Sequence, residues 1–498
     1  MLRGCWLRCC SGRRHTQTGG RGGLLLPWRR ARMGGTPSPG KVVAVLLPRL
    51  LRTDCLPRRS PSRVPGRIPG RTPRAARARR PGVLAALVLA GLGLASGAWG
   101  ADAAPGRGAA TPVSVGELIF NDVNLSAGGN LACASCHVKA NGLADPAGTQ
   151  LPMGGPLRNL QGHRSSPSIA YLNTNTAMRF EADGRPTGGF FWDGRANSRA
   201  AQALGPLFNP REMANTSPEE LIIKVRQAPY YSDLVRFFSP VRAQRDQPVL
   251  QLLQQALAAY QAGDSDFALF NSKFDRVRDG TAVFSAAEAR GLQVFNDPQR
   301  GNCAGCHASC HASSIGPNGE RALFTDFRYH ALGLPRNMAI EANADANFRD
   351  MGLCGPDRTD LAMRVDLCGA FRTPTLRNVA KTGPYFHNAV IPTLLQAVAF
   401  YATRDTDPLS WYPLLNGQPD KFNDLPLGFR GNVITTPPFG GQPGTRPRLS
   451  PQNVNDLVAF LRTLDDDLML PPGGPVVGGP VVGGPVVGGS RRTALNAP

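Results

Sequence analysis

The pentapeptide Cys-x-x-Cys-His occurs twice, as Cys133-Ala-Ser-Cys136-His137 and as Cys303-Ala-Gly-Cys306-His307. No other feature limits so sharply what this chain can become. Two thiols at that spacing reach the two vinyl groups of one porphyrin, and the next His reaches the iron, so the motif is the attachment signal for c-type haem. A single match could mark a zinc knuckle or a disulfide. Two matches are harder to assign to either, because the same helix end precedes both: Gly116-Glu-Leu-Ile-Phe-Asn-Asp122 and Gly291-Leu-Gln-Val-Phe-Asn-Asp297. A repeat of helix end and pentapeptide points to duplicated domains. The expected cofactors are two covalent haem c groups, held by Cys133, Cys136 and His137 and by Cys303, Cys306 and His307.

The formal charge of +21 suggests a nucleic-acid binder until the charge is located. Residues 1–100 hold 20 of the 56 Lys and Arg and one acid, Asp54, leaving 36 basic and 34 acidic residues beyond. No aromatic residues interleave with a basic patch there, so nucleic acid is not an expected partner. Residues 1–80 read as a basic leader, either the product of a start codon placed too far upstream or a disordered segment. An apolar run from Val83 to Ala95 follows Arg77, Arg79 and Arg80, and small residues follow it. That pattern predicts a signal peptide over 81–103 and a periplasmic product. The run falls short of the roughly 20 apolar residues that span a bilayer, so no membrane span is expected after cleavage. Four Cys (Cys5, Cys9, Cys10, Cys55) lie in the leader. Cys354 and Cys368 flank a loop and can pair in an oxidising compartment, leaving Cys310 over.

The patterning predicts a mainly α fold: two cytochrome-c-like domains, over 112–275 and 283–470, each with one covalent c-type haem. Ser285-Ala-Ala-Glu288 is a capping box for the helix before the second pentapeptide. Ser217-Pro218 opens a helix over 219–226, another runs from Val249 to Gln261, and Ser450-Pro451 opens one with Val454, Leu457, Val458, Leu461 and Leu464 on one face. Residues 262–284 read as the crossover between domains. The Gly/Pro/Val repeats over 471–498 predict a disordered tail.

Further motifs carry a family resemblance. Phe191-Trp-Asp-Gly-Arg195 and Gln202-Ala-Leu-Gly-Pro-Leu-Phe-Asn-Pro-Arg-Glu-Met213 resemble the first-haem region of the family that holds bacterial di-haem cytochrome c peroxidases and MauG. Phe324-Thr-Asp-Phe-Arg-Tyr-His330, Thr373-Pro-Thr-Leu-Arg-Asn-Val379 and Pro384-Tyr-Phe-His387 resemble its second domain. The similarity runs from about 112 to 465. It implies an oxidoreductase that uses hydrogen peroxide at the first haem, on His137. By resemblance, Trp192 lies between the haems and passes electrons, and Gln202 and Glu212 sit over the open face of the first. A positioned Glu makes chemical sense there, because breaking a peroxide O–O bond needs a proton moved between its oxygens.

The resemblance also sets the subtype. The peroxidases carry a Met ligand beyond the segment matching Pro384–His387, whereas here the stretch reads Ala397-Val-Ala-Phe-Tyr401 and Tyr matches MauG. Tyr401 is therefore the implied second ligand, with His307, to the second haem iron. A phenolate favours oxidised iron and suits a site that stores oxidising equivalents. The family's calcium ion implies backbone ligands at Thr382 and Pro384, which keep hard oxygens here, so one calcium ion is a further candidate cofactor, with one ligand weakened where Ser165 replaces its Asn; separately, Asn388-Ala389 replaces the Asp-Gly after His387. MauG's Trp before the second pentapeptide, which takes electrons from a protein substrate, is missing from Arg300-Gly301-Asn302. His163 reads as polar loop surface rather than an iron ligand. His330 and His387 read as orienting haem propionates or backbone, and His311 as facing solvent. Three readings follow. One is a MauG-like oxidase drawing electrons from a redox protein partner (a small cytochrome, a cupredoxin or a protein substrate). The others are a peroxidase that detoxifies hydrogen peroxide and a non-enzymatic di-haem electron carrier.

Overall fold

The computed structural model describes residues 109–145, 151–239, 248–309, 315–316 and 319–469. The leader, the signal peptide, Cys310, His311 and the tail lie outside the described residues. Ten α-helices carry the described fold: α1 (Pro112–Phe120), α2 (Cys133–Cys136), α3 (Arg199–Phe208), α4 (Pro218–Gln227), α5 (Tyr231–Phe238), α6 (Val249–Gly263), α7 (Lys273–Arg278), α8 (Ala286–Asn296), α9 (Leu394–Thr403) and α10 (Pro451–Arg462). The strands described are five antiparallel pairs, each two residues against two. The fold is mainly α-helical, and none of its described helices is long and apolar enough to cross a membrane.

Local chemistry sets the helix starts. Ser285 Oγ accepts from Glu288 N while the Glu288 carboxylate accepts from Ser285 N, the reciprocal cap read from the sequence. Ser217 and Ser450 cap α4 and α10, with Pro218 and Pro451 in the first turn, where a missing N–H costs nothing. The predicted face of α10 is the buried one: Leu457 and Leu461 are enclosed and Val454 and Val458 pack beside them.

Two hydrophobic cores are the largest of those among the described residues. One gathers Val115, Ile119 and Phe120 of α1 with Leu253, Ala256 and Leu257 of α6, and the other gathers Val294 and Phe295 of α8 with Leu457 and Phe460 of α10. The stretch 262–284 is not bare crossover. Phe267 fills the first core, and α7 starts two residues after Asn271 and places Phe274 in the second.

The repeated Gly of the sequence explains how each core closes. A Cβ on Gly116 would stand 2.2 Å from Ala256 O, and one on Gly291 would stand 2.0 Å from Asp456 O. In both halves the helix before the pentapeptide thus crosses a second helix at backbone contact. Gly291→Ala is expected to force α8 and α10 apart and cost about 1–3 kcal/mol, as overpacking does. The denaturation midpoint of the holoprotein reads this, and an unchanged midpoint would refute the tight crossing.

Candidate functional site

Each pentapeptide begins a short helical turn, α2 for the first and a 3₁₀ turn over Cys303–Gly305 for the second. Each turn delivers its His with the same support. His137 Nδ1–H donates to Leu143 O at 3.0 Å, and His307 Nδ1–H donates to Phe324 O at 2.9 Å. A carbonyl can only accept, so Nδ1 carries the proton and Nε2 keeps its lone pair, the tautomer that a metal-bound imidazole needs. Burial lowers the pKa of both rings, which keeps them neutral. Cys133, Cys136, Cys303 and Cys306 are the free cysteines among the described residues. Burial pushes the thiols of Cys133, Cys136 and Cys303 up to about 12. Neutral thiols facing apolar space beside a neutral imidazole fit a thioether-linked porphyrin.

Two cavities hold these groups. The first, about 610 Å³, is lined by Cys133, Cys136 and His137 together with Gln202 and Glu212. Gln202 projects from α3, whose start Ser198 caps. Glu212 ends the turn that follows: its N–H donates to Asn209 O, and the Asn209 amide donates to Glu212 Oε1 at 2.6 Å. Burial pushes the Glu212 carboxyl up, against the lowering pull of the Asn209 hydrogen bond and Arg195. The second cavity, about 230 Å³, is lined by Cys303, Cys306, His307 and Tyr401. Tyr401 sits near the end of α9, stacked on Phe439 at 5.3 Å between ring centres, and burial pushes its phenol up. The first cavity is the roomier of the two.

Trp192 lines both cavities. Its indole N–H donates to Ser165 O at 2.9 Å, and its carbonyl accepts from Arg372 N at 2.8 Å. Arg372 lies in the two-residue strand that pairs with Tyr329–His330, so Trp192 is tied to the second half through the backbone. The turn that presents it depends on Gly194 (φ +68), where a Cβ would overlap the Tyr329 hydroxyl at 1.9 Å. Buried Asp193 accepts from Arg164 and Arg195 and holds the turn in place.

The structure corrects one expectation and adds residues. His163 is not loop surface: its ring lines the first cavity, edge-on to Phe348 at 5.6 Å, with Nε2 3.4 Å from Asp357. Asp357 comes from the loop closed by the Cys354–Cys368 disulfide. His163, Arg164 and Arg195 hold its carboxyl far below the usual range, against burial. His330 sits at the second cavity beside Asp326 and Cys306, which push it up to about 9 although burial alone would lower it. His387 stacks flat on Phe371 at 3.4 Å, and burial drives its pKa down to about 3. Arg372, which the sequence did not single out, lines both cavities and has a buried Nη1 with no hydrogen-bond partner. Such a cation suits an anionic group entering from either cavity. Thr382 and Pro384 line the second cavity, as does Ser165, whose hydroxyl is turned to Phe386 O at 2.8 Å.

Paired Cys-x-x-Cys-His cavities sharing one indole are the arrangement of a c-type haem oxidoreductase. A family model described as di-haem cytochrome c peroxidase matches residues 110–283. Methylamine utilization protein MauG of Paracoccus denitrificans is 35% identical over 368 residues, covering 71% of this chain and 88% of that protein. Cytochrome c551 peroxidase of Pseudomonas aeruginosa is 29% identical, covering 57% of this chain and 70% of that protein. The crystal structure of the diheme peroxidase BthA from Burkholderia thailandensis is 38% identical and superposes with a TM-score of 0.64, covering 72% of this chain and 87% of that one. The chain belongs to the di-haem cytochrome c peroxidase family, the family of MauG.

Proposed function

We propose that this chain is an exported di-haem peroxidase of MauG-like subtype, with two haem domains over 112–275 and 283–470. It reduces hydrogen peroxide at the His137 site and draws electrons from a redox protein partner through the His307–Tyr401 site. One observation carries the reading: Glu212 and Gln202 line the roomy cavity of the first pentapeptide, whereas Tyr401 lines the tighter cavity of the second.

Haem bound through the two cysteine pairs would supply the redox-active iron at which a peroxide O–O bond is reduced. The chain's own groups do the rest. Glu212, held by Asn209, takes the proton from one peroxide oxygen and returns it to the other. Gln202 orients the oxygen by hydrogen bonding. Trp192 couples the two cavities, with its indole fixed on Ser165 O. Tyr401, which lines the cavity of Cys303, Cys306 and His307, would offer a hard oxygen to a haem iron held there and so favour its oxidised state. The Cys354–Cys368 disulfide supports an oxidising compartment such as the periplasm.

The test is an optical and paramagnetic titration of purified holoprotein with peroxide, comparing the parent with Tyr401→Met. The parent is expected to change spectrum at one equivalent of peroxide. Tyr401→Met is expected to raise the potential of the second haem and speed turnover with reduced cytochrome c. A first haem that stays six-coordinate and ignores peroxide would leave only the carrier reading. Fast parent turnover with reduced cytochrome c would favour simple peroxide detoxification.

A further inference from the structure

A MauG-type tryptophan before the second pentapeptide is missing at Arg300-Gly301-Asn302, yet the second cavity does not lack an aromatic route to the surface. Tyr401 neighbours Phe400 at 6.3 Å between ring centres, and Phe400 meets Trp411 edge-on at 5.4 Å. Phe400 is fully enclosed, whereas Trp411 is half-buried. The run around Trp411 is open to solvent, with Leu409, Leu414 and Leu415 all more than half exposed. Trp192 and Trp411 are the tryptophans among the described residues. Trp192 lines both cavities, whereas Trp411 ends the ring path that runs from Tyr401 through Phe400 toward the surface.

We propose that Trp411 is the electron-uptake residue of the second site, where a one-electron donor delivers its electron from the surface. This rests on the peroxidase reading above. Between the second site and the surface, the indole of Trp411 is far more easily oxidised by one electron than the phenyl ring of Phe400, which serves as a packed bridge. In each passage Trp411 loses one electron to the oxidised second site, which is reduced by one. The indole radical cation then takes one electron from the donor, which is oxidised by one. The indole proton stays where it is: Nε1–H donates to Thr403 Oγ1 at 3.0 Å, and that hydroxyl donates to Ala399 O at 2.8 Å. A hydroxyl is too weak a base to remove it. Two passages supply the two electrons that, with two protons from solvent, reduce one peroxide to two waters.

The experiment uses the full holoprotein and Trp411→Phe, which keeps a packed ring but resists oxidation, with Trp411→Tyr as the conservative variant. Each is oxidised with one equivalent of peroxide. It is then mixed rapidly with reduced cytochrome c in one arm and ferrocyanide in the other, and the return of the resting spectrum is timed. Trp411→Phe is expected to slow the return at least about tenfold, and Trp411→Tyr to recover part of it. A purely structural role would instead disturb the resting spectrum or the peroxide step. Slowing confined to the cytochrome arm supports uptake from a protein donor, and slowing in both arms supports uptake from any surface donor. Equal return rates in both arms overturn the inference and leave the peroxidase reading standing. A parent that shows no spectral change with peroxide overturns both.

Discussion

Glu212→Gln is expected to slow the reaction of the holoprotein with peroxide by about 10²–10⁴-fold, the usual worth of a positioned acid–base group. Glutamine keeps the shape and can still meet the Asn209 amide through its carbonyl oxygen, so the loss measures the carboxylate rather than collapse of the turn. The pH dependence has a definite sign. Burial pushes the Glu212 carboxyl above the ordinary carboxylate range, so it stays protonated to a higher pH than a surface Glu. A protonated carboxyl cannot accept the peroxide proton. The rate should therefore rise with pH through that raised pKa, and the limb should vanish in Glu212→Gln. Stopped-flow absorbance across pH reads both quantities. A variant with the parent's rate and the same acid limb would remove Glu212 from the reaction.

The second large effect concerns stability. Arg377 is fully enclosed and spends all five of its N–H groups. Nε and Nη2 donate to Ala322 O, Nη1 to Ser272 Oγ and to Asp275 Oδ2 at 2.5 Å, and Nη2 to Asp275 Oδ1 at 3.1 Å. Its guanidinium lies among the rings of Tyr171, Phe270, Phe274 and Phe324, which come from both cores. Arg377→Met takes the hydrogen-bonded cation from the buried Asp275 carboxylate, leaving it Ser272 and the more distant Arg321, 3.7 Å away. Breaking a buried pair on one side costs about 3–5 kcal/mol, and the chemical denaturation midpoint at neutral pH should fall accordingly. Burial alone would raise Asp275, but Arg377 holds it below its usual range. In the parent, therefore, the pair's contribution is present above the ordinary Asp value near 4 and is lost as pH falls through the depressed one. In the variant the penalty is full at neutral pH and shrinks toward pH 4, as the orphaned carboxyl takes up a proton. Arg377→Met combined with Asp275→Leu should recover part of the loss, since a packed apolar pair can replace a buried ion pair. A single variant as stable as the parent at pH 7 would refute the assignment.

Arg377 also shows where sequence reading stops. It stands inside Thr373-Pro-Thr-Leu-Arg-Asn-Val379, a stretch that the sequence already marked, but its partner Asp275 is 102 residues away. Nothing in the local pattern joins them. The same holds for His163. A histidine in a polar loop reads as surface, and only the arrival of Phe348 and Asp357 from far along the chain encloses it. The span 262–284 read as a connection between domains, yet Phe267 and Phe274 are each claimed by a different core.

What the sequence determined by itself is whatever covalent spacing and local hydrogen bonding control. The two Cys-x-x-Cys-His turns and the caps at Ser217, Ser285 and Ser450 all act within a few residues of themselves. Their geometry is set before the chain packs. Tertiary structure decided which side chains share a cavity: Glu212 and Gln202 with His137, Tyr401 with His307, and Trp192 and Arg372 with both. Those meetings depend on how the helices cross and on contacts between residues far apart in the chain. Burial, and with it the pKa of Glu212 and the enclosure of Arg377, exists only once that packing is complete.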